Sequence, residues 1–146
     1  MAYYPIISGQ IRHKKLVEFY SEKVTRALGL SRLRTRGIEI YFQTTADGAL
    51  GHCIGDKTFA LIQIARTCPI TKRKFSFLEL MRSMTHELVH AKQFLRGELN
   101  CDNGWTWMGE DASHLAYDDQ PWEQEAFRLE YEIFSKCFPW HLPFKN

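Results

Sequence analysis

Residues 76–97 constrain the fold more than any other stretch. Ser76-Phe77-Leu78-Glu79 has the spacing of a capping box, in which the hydroxyl bonds an amide three residues on and the carboxylate reaches back. Phe77, Met81, Met84, Leu88, Ala91 and Leu95 then recur at spacings of four and three, which makes one apolar stripe along a helix. Gly97 is a natural stop. Away from the stripe stands Thr85-His86-Glu87-Leu88-Val89-His90, the pattern H-E-x-x-H. Histidines four apart share a helical face, one turn apart, and can hold one metal ion together. His86 and Leu88 are separated by two steps of ~100°, so the core takes one side of the helix and the histidines look into a cleft. Glu87 falls at the edge of the metal face, where it can touch a metal-bound water without ligating the metal. With 6 histidines in the chain, chance supplies roughly 0.02 such matches. The pattern is therefore read as a site.

The flanking sequence reads as α+β. Residues 11–30 carry Ile11, Leu16, Val17, Tyr20, Val24, Leu28 and Leu30, spaced for an amphipathic helix ending near Gly29. Residues 37–44 alternate as a strand, Ala46-Asp47-Gly48 marks a turn, residues 51–55 suit a short edge strand, and residues 58–65 form another strand. Residues 98–120 look like a long loop with six acidic residues, two tryptophans and no Lys or Arg. Loops of that length in small domains are usually functional. Pro121 fits the first turn of a last helix running to about Cys137. The expected architecture is one domain over residues 1–146, with a core over 35–137. It holds an N-terminal helix, a sheet of about three strands, the H-E-x-x-H helix and a glutamate-bearing helix. The tail, 138–146, is expected to pack back on the domain or on a partner.

Composition narrows the setting. With 146 residues, 45% hydrophobic and 25% charged, the chain has the ordinary globular mix and can bury a core without disulfides. No apolar run approaches the ~18 residues of a membrane span. Residues 1–10 lack the basic and apolar regions of a secretory signal. The cysteines at 53, 68, 101 and 137 form no C-x-x-C pair and are expected to be reduced, buried thiols in a cytoplasmic protein. Residues 1–75 hold 13 Lys and Arg against 5 Asp and Glu, while residues 76–146 hold 6 against 12. A basic half can meet nucleic acid, but no nucleic-acid-binding motif accompanies it. It is read as a solvated face, with the acidic half rimming the site.

A zinc peptidase site needs a third protein ligand and leaves the fourth position to water. The pattern H-E-x-x-H-x-x-G-x-x-H would require Gly at 93 and His at 96, where Gln93 and Arg96 stand, so that class is excluded. Three candidates remain. His114 lies in the loop. Glu123 opens the last helix, a rigid element suited to a fixed ligand. Glu125, two residues on, points roughly 200° away.

H-E-x-x-H followed by a helical E-x-x-A resembles the gluzincin group of zinc metallopeptidases. The arrangement of strand, HELxH helix, Trp107-Met108-Gly109 and Pro121-Trp122-Glu123-Gln124-Glu125-Ala126 is similar to small single-domain metallopeptidases of bacteriophage genomes. The resemblance covers about residues 37–135. It implies zinc held by His86, His90 and Glu123, with Ala126 letting the two helices approach. It also implies a host-cytoplasmic enzyme or a component of a phage particle. Many gluzincins place Asp four residues after the ligand Glu to orient a histidine. Phe127 stands there in this chain, so another group must do so.

On this reading Glu87 is the general base for a water that attacks a peptide bond. The oxyanion needs a second stabiliser; Tyr117 and His114 are the loop groups placed to supply it, and Tyr117 is preferred. Residues 48–55 would pair with an extended polypeptide substrate. The acids Glu98, Asp102, Glu110, Asp111, Asp118 and Asp119 read first as solvated groups, with preference for a basic substrate and calcium binding as the alternatives. Trp105, Trp107 and Trp122 read as packing anchors. The alternative is a non-catalytic, zinc-stabilised protein of a phage particle or of a host interaction. It would need no general base.

Overall fold

A computed structural model describes residues 5–33, 37–44, 49–142 and 146. Its fold is α+β, with three α-helices, a four-stranded mixed sheet and a three-stranded sheet. The alternation of Ile38, Ile40 and Phe42 in β2 (Gly37–Gln43) and of Ala60, Ile62 and Ile64 in β4 (Phe59–Ala65) puts all six side chains on one buried face. β2 and β4 pair in parallel, with Ile40 opposite Ile62. The expected edge strand, β3 (Gly51–Gly55), runs antiparallel to β4 and closes the order β1-β2-β4-β3.

The sheet has one strand more than expected. β1 (Ile6–Gly9) pairs in parallel with β2. It spans four residues and buries only Ile7 among them, too little alternation to read from sequence. The N-terminal helix is correspondingly shorter than expected: α1 covers Lys14–Ala27. Gly29 follows in a left-handed conformation (φ 74°) and leads into a 3-10 turn at Leu30–Arg32. The turn expected at 46–48, and with it Gly48, lies outside the described residues.

α2 (Phe77–Leu95) has the cap its sequence announces. Ser76 Oγ accepts from the Glu79 amide at 3.2 Å, and Glu79 Oε2 accepts from the Ser76 amide at 2.8 Å. Its far end closes on Gly97 (φ 72°), with bonds from Gly97 N to Phe94 O and from Glu98 N to Gln93 O, the Schellman pattern. Every residue of the apolar stripe is buried. Together with α1, the inner sheet face and Ala126, Ile133 and Phe134 of α3 (Pro121–Cys137) it forms one cluster.

Residues 98–120 are not the structureless loop expected. They contain β5 (Leu99–Asn100), β6 (Thr106–Trp107) and β7 (Glu110–Asp111), paired in that order. Met108 and Gly109, both at positive φ, make the two-residue hairpin between β6 and β7. A second cluster of Phe94, Leu99, Ala112 and Trp122 lies beneath, with Trp107 and Cys101 packed against it. Trp105 stacks on Trp122 at 5.7 Å between centroids, so the tryptophans do serve as anchors. Strands of two residues leave no period to detect.

The tail returns as expected where it is described. Phe138 is buried in the main cluster, and Asn146 Oδ1 accepts from the Leu78 amide at 2.9 Å. All four cysteines are free and half-buried. Cys53, Cys101 and Cys137 pack against the clusters, whereas Cys68 does not. Its thiol is instead held below the usual range by hydrogen bonds from Thr71 and Ile70. Among the described residues no helix is long and apolar enough to cross a membrane.

Candidate metal centre

His86 and His90 project from the middle of α2, one turn apart, with ring centroids 4.9 Å from each other. Glu123, in the first turn of α3, meets both. Its Oε1 lies 3.0 Å from His86 Nε2 and 3.2 Å from His90 Nε2. One ligand atom from each of the three residues lies within 4.8 Å of the others. Ala126 is fully buried between the helices, as a small residue must be where two helices approach closely.

Both rings are held from behind. Gln93 is fully buried, and its Nε2 donates to Trp122 O at 2.9 Å and to Glu125 Oε1 at 3.0 Å. Its Oε1 is thereby left to accept from His90 Nδ1, at 2.8 Å. Glu130 Oε1 lies 3.2 Å from His86 Nδ1, and its other oxygen accepts from Arg82 at 2.9 Å. With Nδ1 donating behind both rings, Nε2–H of each protonated ring donates to Glu123, and the same Nε2 atoms become free to ligate once deprotonated. Phe127, at the position where an orienting Asp was looked for, packs its ring on His86 at 4.6 Å. Glu130 takes the orienting place one turn further on.

Gln93 and Glu130 were not singled out from sequence, although a spacing signal existed for each. Gln93 is three residues after His90, one helical turn. Glu130 is seven after Glu123, so two turns return it to within roughly 20° of the same face.

The charges of the group are strongly coupled. Burial alone would lower the His86 pKa, but the hydrogen bonds to Glu123 and Glu130 outweigh it and raise the value to about 9. His90 is raised in the same way, burial being outweighed by Glu123. Burial would raise Glu123, yet His86 and His90 hold it well below the usual carboxylate range. Glu87 differs. It is 7% exposed, and burial pushes its pKa up against the opposing pull of His90 and His86. Its Oε2 is buried with no hydrogen-bond partner. β3 passes close by: a Cβ added at Gly51 would come within 3.4 Å of Glu87 Cγ.

The other sequence candidates separate cleanly. The His114 side chain is 71% exposed and lies 4.0 Å from Asp111, and among the described residues it belongs to no ligand group. Glu125 binds Lys92 at 3.0 Å as well as Gln93 and faces away from the histidines. Tyr117, on a 3-10 turn at Tyr117–Asp119, places its hydroxyl 3.3 Å from Glu123 Oε1. Burial and the Glu123 carboxylate push its pKa up to about 12. Of the loop acids, Glu98 pairs with Lys92 at 2.8 Å and the other five are exposed. A cleft of about 430 Å³ joins these parts, with Leu50, Cys53, Phe94, Leu99 and Trp122 as its apolar wall.

No protein-family model matches the chain, and no curated protein matches it. The candidate metal centre therefore stands on its own geometry. His86, His90 and Glu123 form a group that can hold a metal ion. Two imidazoles and a carboxylate are a donor set that fits a divalent metal such as zinc, and an unpartnered buried carboxylate oxygen lies beside them.

Proposed function

We propose that this protein is a gluzincin-like zinc metallopeptidase that hydrolyses peptide bonds. The observation that carries the reading is the meeting of His86 Nε2, His90 Nε2 and Glu123 Oε1 beside the unpartnered carboxylate of Glu87. A site built only for stability has no use for that fourth group. His86, His90 and Glu123 would hold the zinc, which would supply Lewis acidity for water activation and carbonyl polarisation.

The chain's own residues do the rest. Glu87, whose pKa burial pushes up from the usual carboxylate value, takes the proton of the attacking water at Oε2. It then returns that proton to the leaving amine. Tyr117 keeps its phenolic proton at neutral pH and donates it toward the oxyanion. Gln93 and Glu130 hold the imidazoles in one tautomer. β3 is an edge strand beside Glu87, and its free edge pairs with an extended polypeptide. Exposed acids on residues 102–119 favour a basic substrate. The setting is the host cytoplasm or a phage particle, as the resemblance implies.

The test is metal content by plasma mass spectrometry, followed by cleavage of a peptide library. The native chain is expected to carry one zinc and Glu123→Ala to lose it. Glu87→Gln is expected to keep the zinc and lose roughly 10²–10⁴-fold in turnover. Zinc retained by Glu123→Ala overturns the ligand set. Full activity in Glu87→Gln overturns the mechanism.

A further inference from the structure

The side-chain amide of Gln93, fully buried behind His90, has an oxygen end and a nitrogen end of nearly the same shape. Which end faces the ring decides which ring nitrogen keeps a proton. With Oε1 toward the ring, as found at 2.8 Å, Nδ1 must donate. The proton that a metal displaces is then the one on Nε2. With the amide reversed, Gln93 Nε2 would donate to Nδ1. The ring proton would stay on the nitrogen that faces Glu123, and that ring could not ligate through Nε2.

The sense of the amide is set on its far side. Gln93 Nε2 donates to Trp122 O at 2.9 Å and to Glu125 Oε1 at 3.0 Å. One partner is a backbone carbonyl and the other a carboxylate, so both accept and neither tolerates an amide oxygen in that place. Glu125 is itself held. Lys92 Nζ, which can only donate, lies 3.0 Å from the same Oε1 and pairs with Glu98 at 2.8 Å. All three side chains are half-buried, and a carboxylate taken partly out of water needs a cation beside it. A bond to a charged acceptor is roughly twice as strong as one to a neutral carbonyl. Glu125 therefore contributes more to the preferred sense than Trp122 O does.

We propose that Glu125, held by Lys92, is a positioning residue. Through the Gln93 amide it fixes a proton on His90 Nδ1 and reserves Nε2 for the metal. The use of Nε2 rests on the proposed metal centre, whereas the sense of the amide does not.

The test is NMR of the isotope-labelled full chain with and without zinc, beside zinc affinity by competition with a chelating dye. In the native chain His90 Nδ1–H is expected to give a slowly exchanging signal, and both Gln93 side-chain amide protons are expected to lie downfield of a free glutamine. Glu125→Ala is expected to return one of those amide protons to the free range, to broaden the His90 Nδ1–H signal and to weaken zinc binding roughly ten-fold. The Nδ1–H signal of His86, which Glu130 holds, is expected to persist in the same variant, and a general loosening of the fold would not spare it. Glu125→Gln keeps an oxygen that Lys92 draws toward the amide, and is expected to restore the His90 signal. An unchanged His90 signal in Glu125→Ala overturns the proposal, as does equal broadening at His86. A native Gln93 proton at the free position also overturns it, and that reading needs no variant to fold. If the native chain binds no zinc, the metal centre fails, and the same signals read without metal still decide the role of Glu125.

Discussion

Glu123 Oε1 faces both imidazole Nε2 atoms, and this shared contact makes the centre answer to pH in opposite senses with and without metal. In the metal-free protein His86 binds its proton up to about 9, against 6.5 for a free histidine. Its contribution to stability is complete below about 6.5 and is lost as pH rises through 9. Glu87 is also raised, by burial, so its charged form costs stability as pH rises above about 4.5. Glu123 is depressed from 4.5, so its contribution is present above about 4.5 and lost as pH falls. Thermal melts of chelated protein are expected to peak between about 4.5 and 6.5 and to decline toward pH 9. With zinc present, the Tm is expected to rise over that upper range, because a metal binds only deprotonated rings. Tyr117 is 56% exposed and its ring supports no core. Tyr117→Phe is therefore expected to leave the Tm unchanged and to lower kcat roughly 10²–10³-fold, the cost of losing one oxyanion donor. Equal kcat in the two proteins would remove Tyr117 from the mechanism.

Two helices make the centre, and each aims its ligands through a partner on the same face. Arg82, Glu130 and His86 form a chain that crosses from α2 to α3 and back. Glu130→Ala frees the His86 ring and is expected to weaken zinc binding roughly 10–100-fold, measured by competition with a chelating dye. Unchanged affinity would mean that Phe127 packing alone orients the ring. The helices were also what the sequence declared best. Ser76 and Glu79 form the box their spacing predicts, Pro121 opens α3 and Gly97 closes α2, because caps and stops are local chemistry. The ligand group was legible for the same reason: two histidines one turn apart and a glutamate in a first turn are positions on helices. Gln93 and Glu130 were harder. Orienting groups are defined by what they touch across the fold, and one-turn spacing alone does not separate Gln93 from the other polar residues of α2.

At the scale of the whole molecule, the charge asymmetry of the sequence acquires an address on each side. The basic half supplies Arg12, Arg66 and Lys74 around the carboxyl ends of the parallel strands, where Ser76, Phe77 and Leu80 complete the lining of a cavity. The acidic half supplies His86, Glu87, His90 and Glu123 and the exposed loop beside them, facing Leu50 and Cys53 across the cleft. The candidate metal group was placed by helix spacing, whereas the small strands were not, since β1 buries one side chain and β5, β6 and β7 have two residues each. Both sheets are completed by pairing partners rather than by their own periodicity. The bond pattern at Glu123 has a topological consequence. His90 and Glu123 are 33 residues apart, so a metal ion joining them turns the intervening chain, with β5, β6 and β7 inside it, into a closed ring. Opening a ring returns conformational freedom to everything it encloses. Hydrogen exchange at the amides of residues 99–111 is therefore expected to quicken when a chelator removes the metal, while amides of β2 and β4, outside the ring, keep their rates.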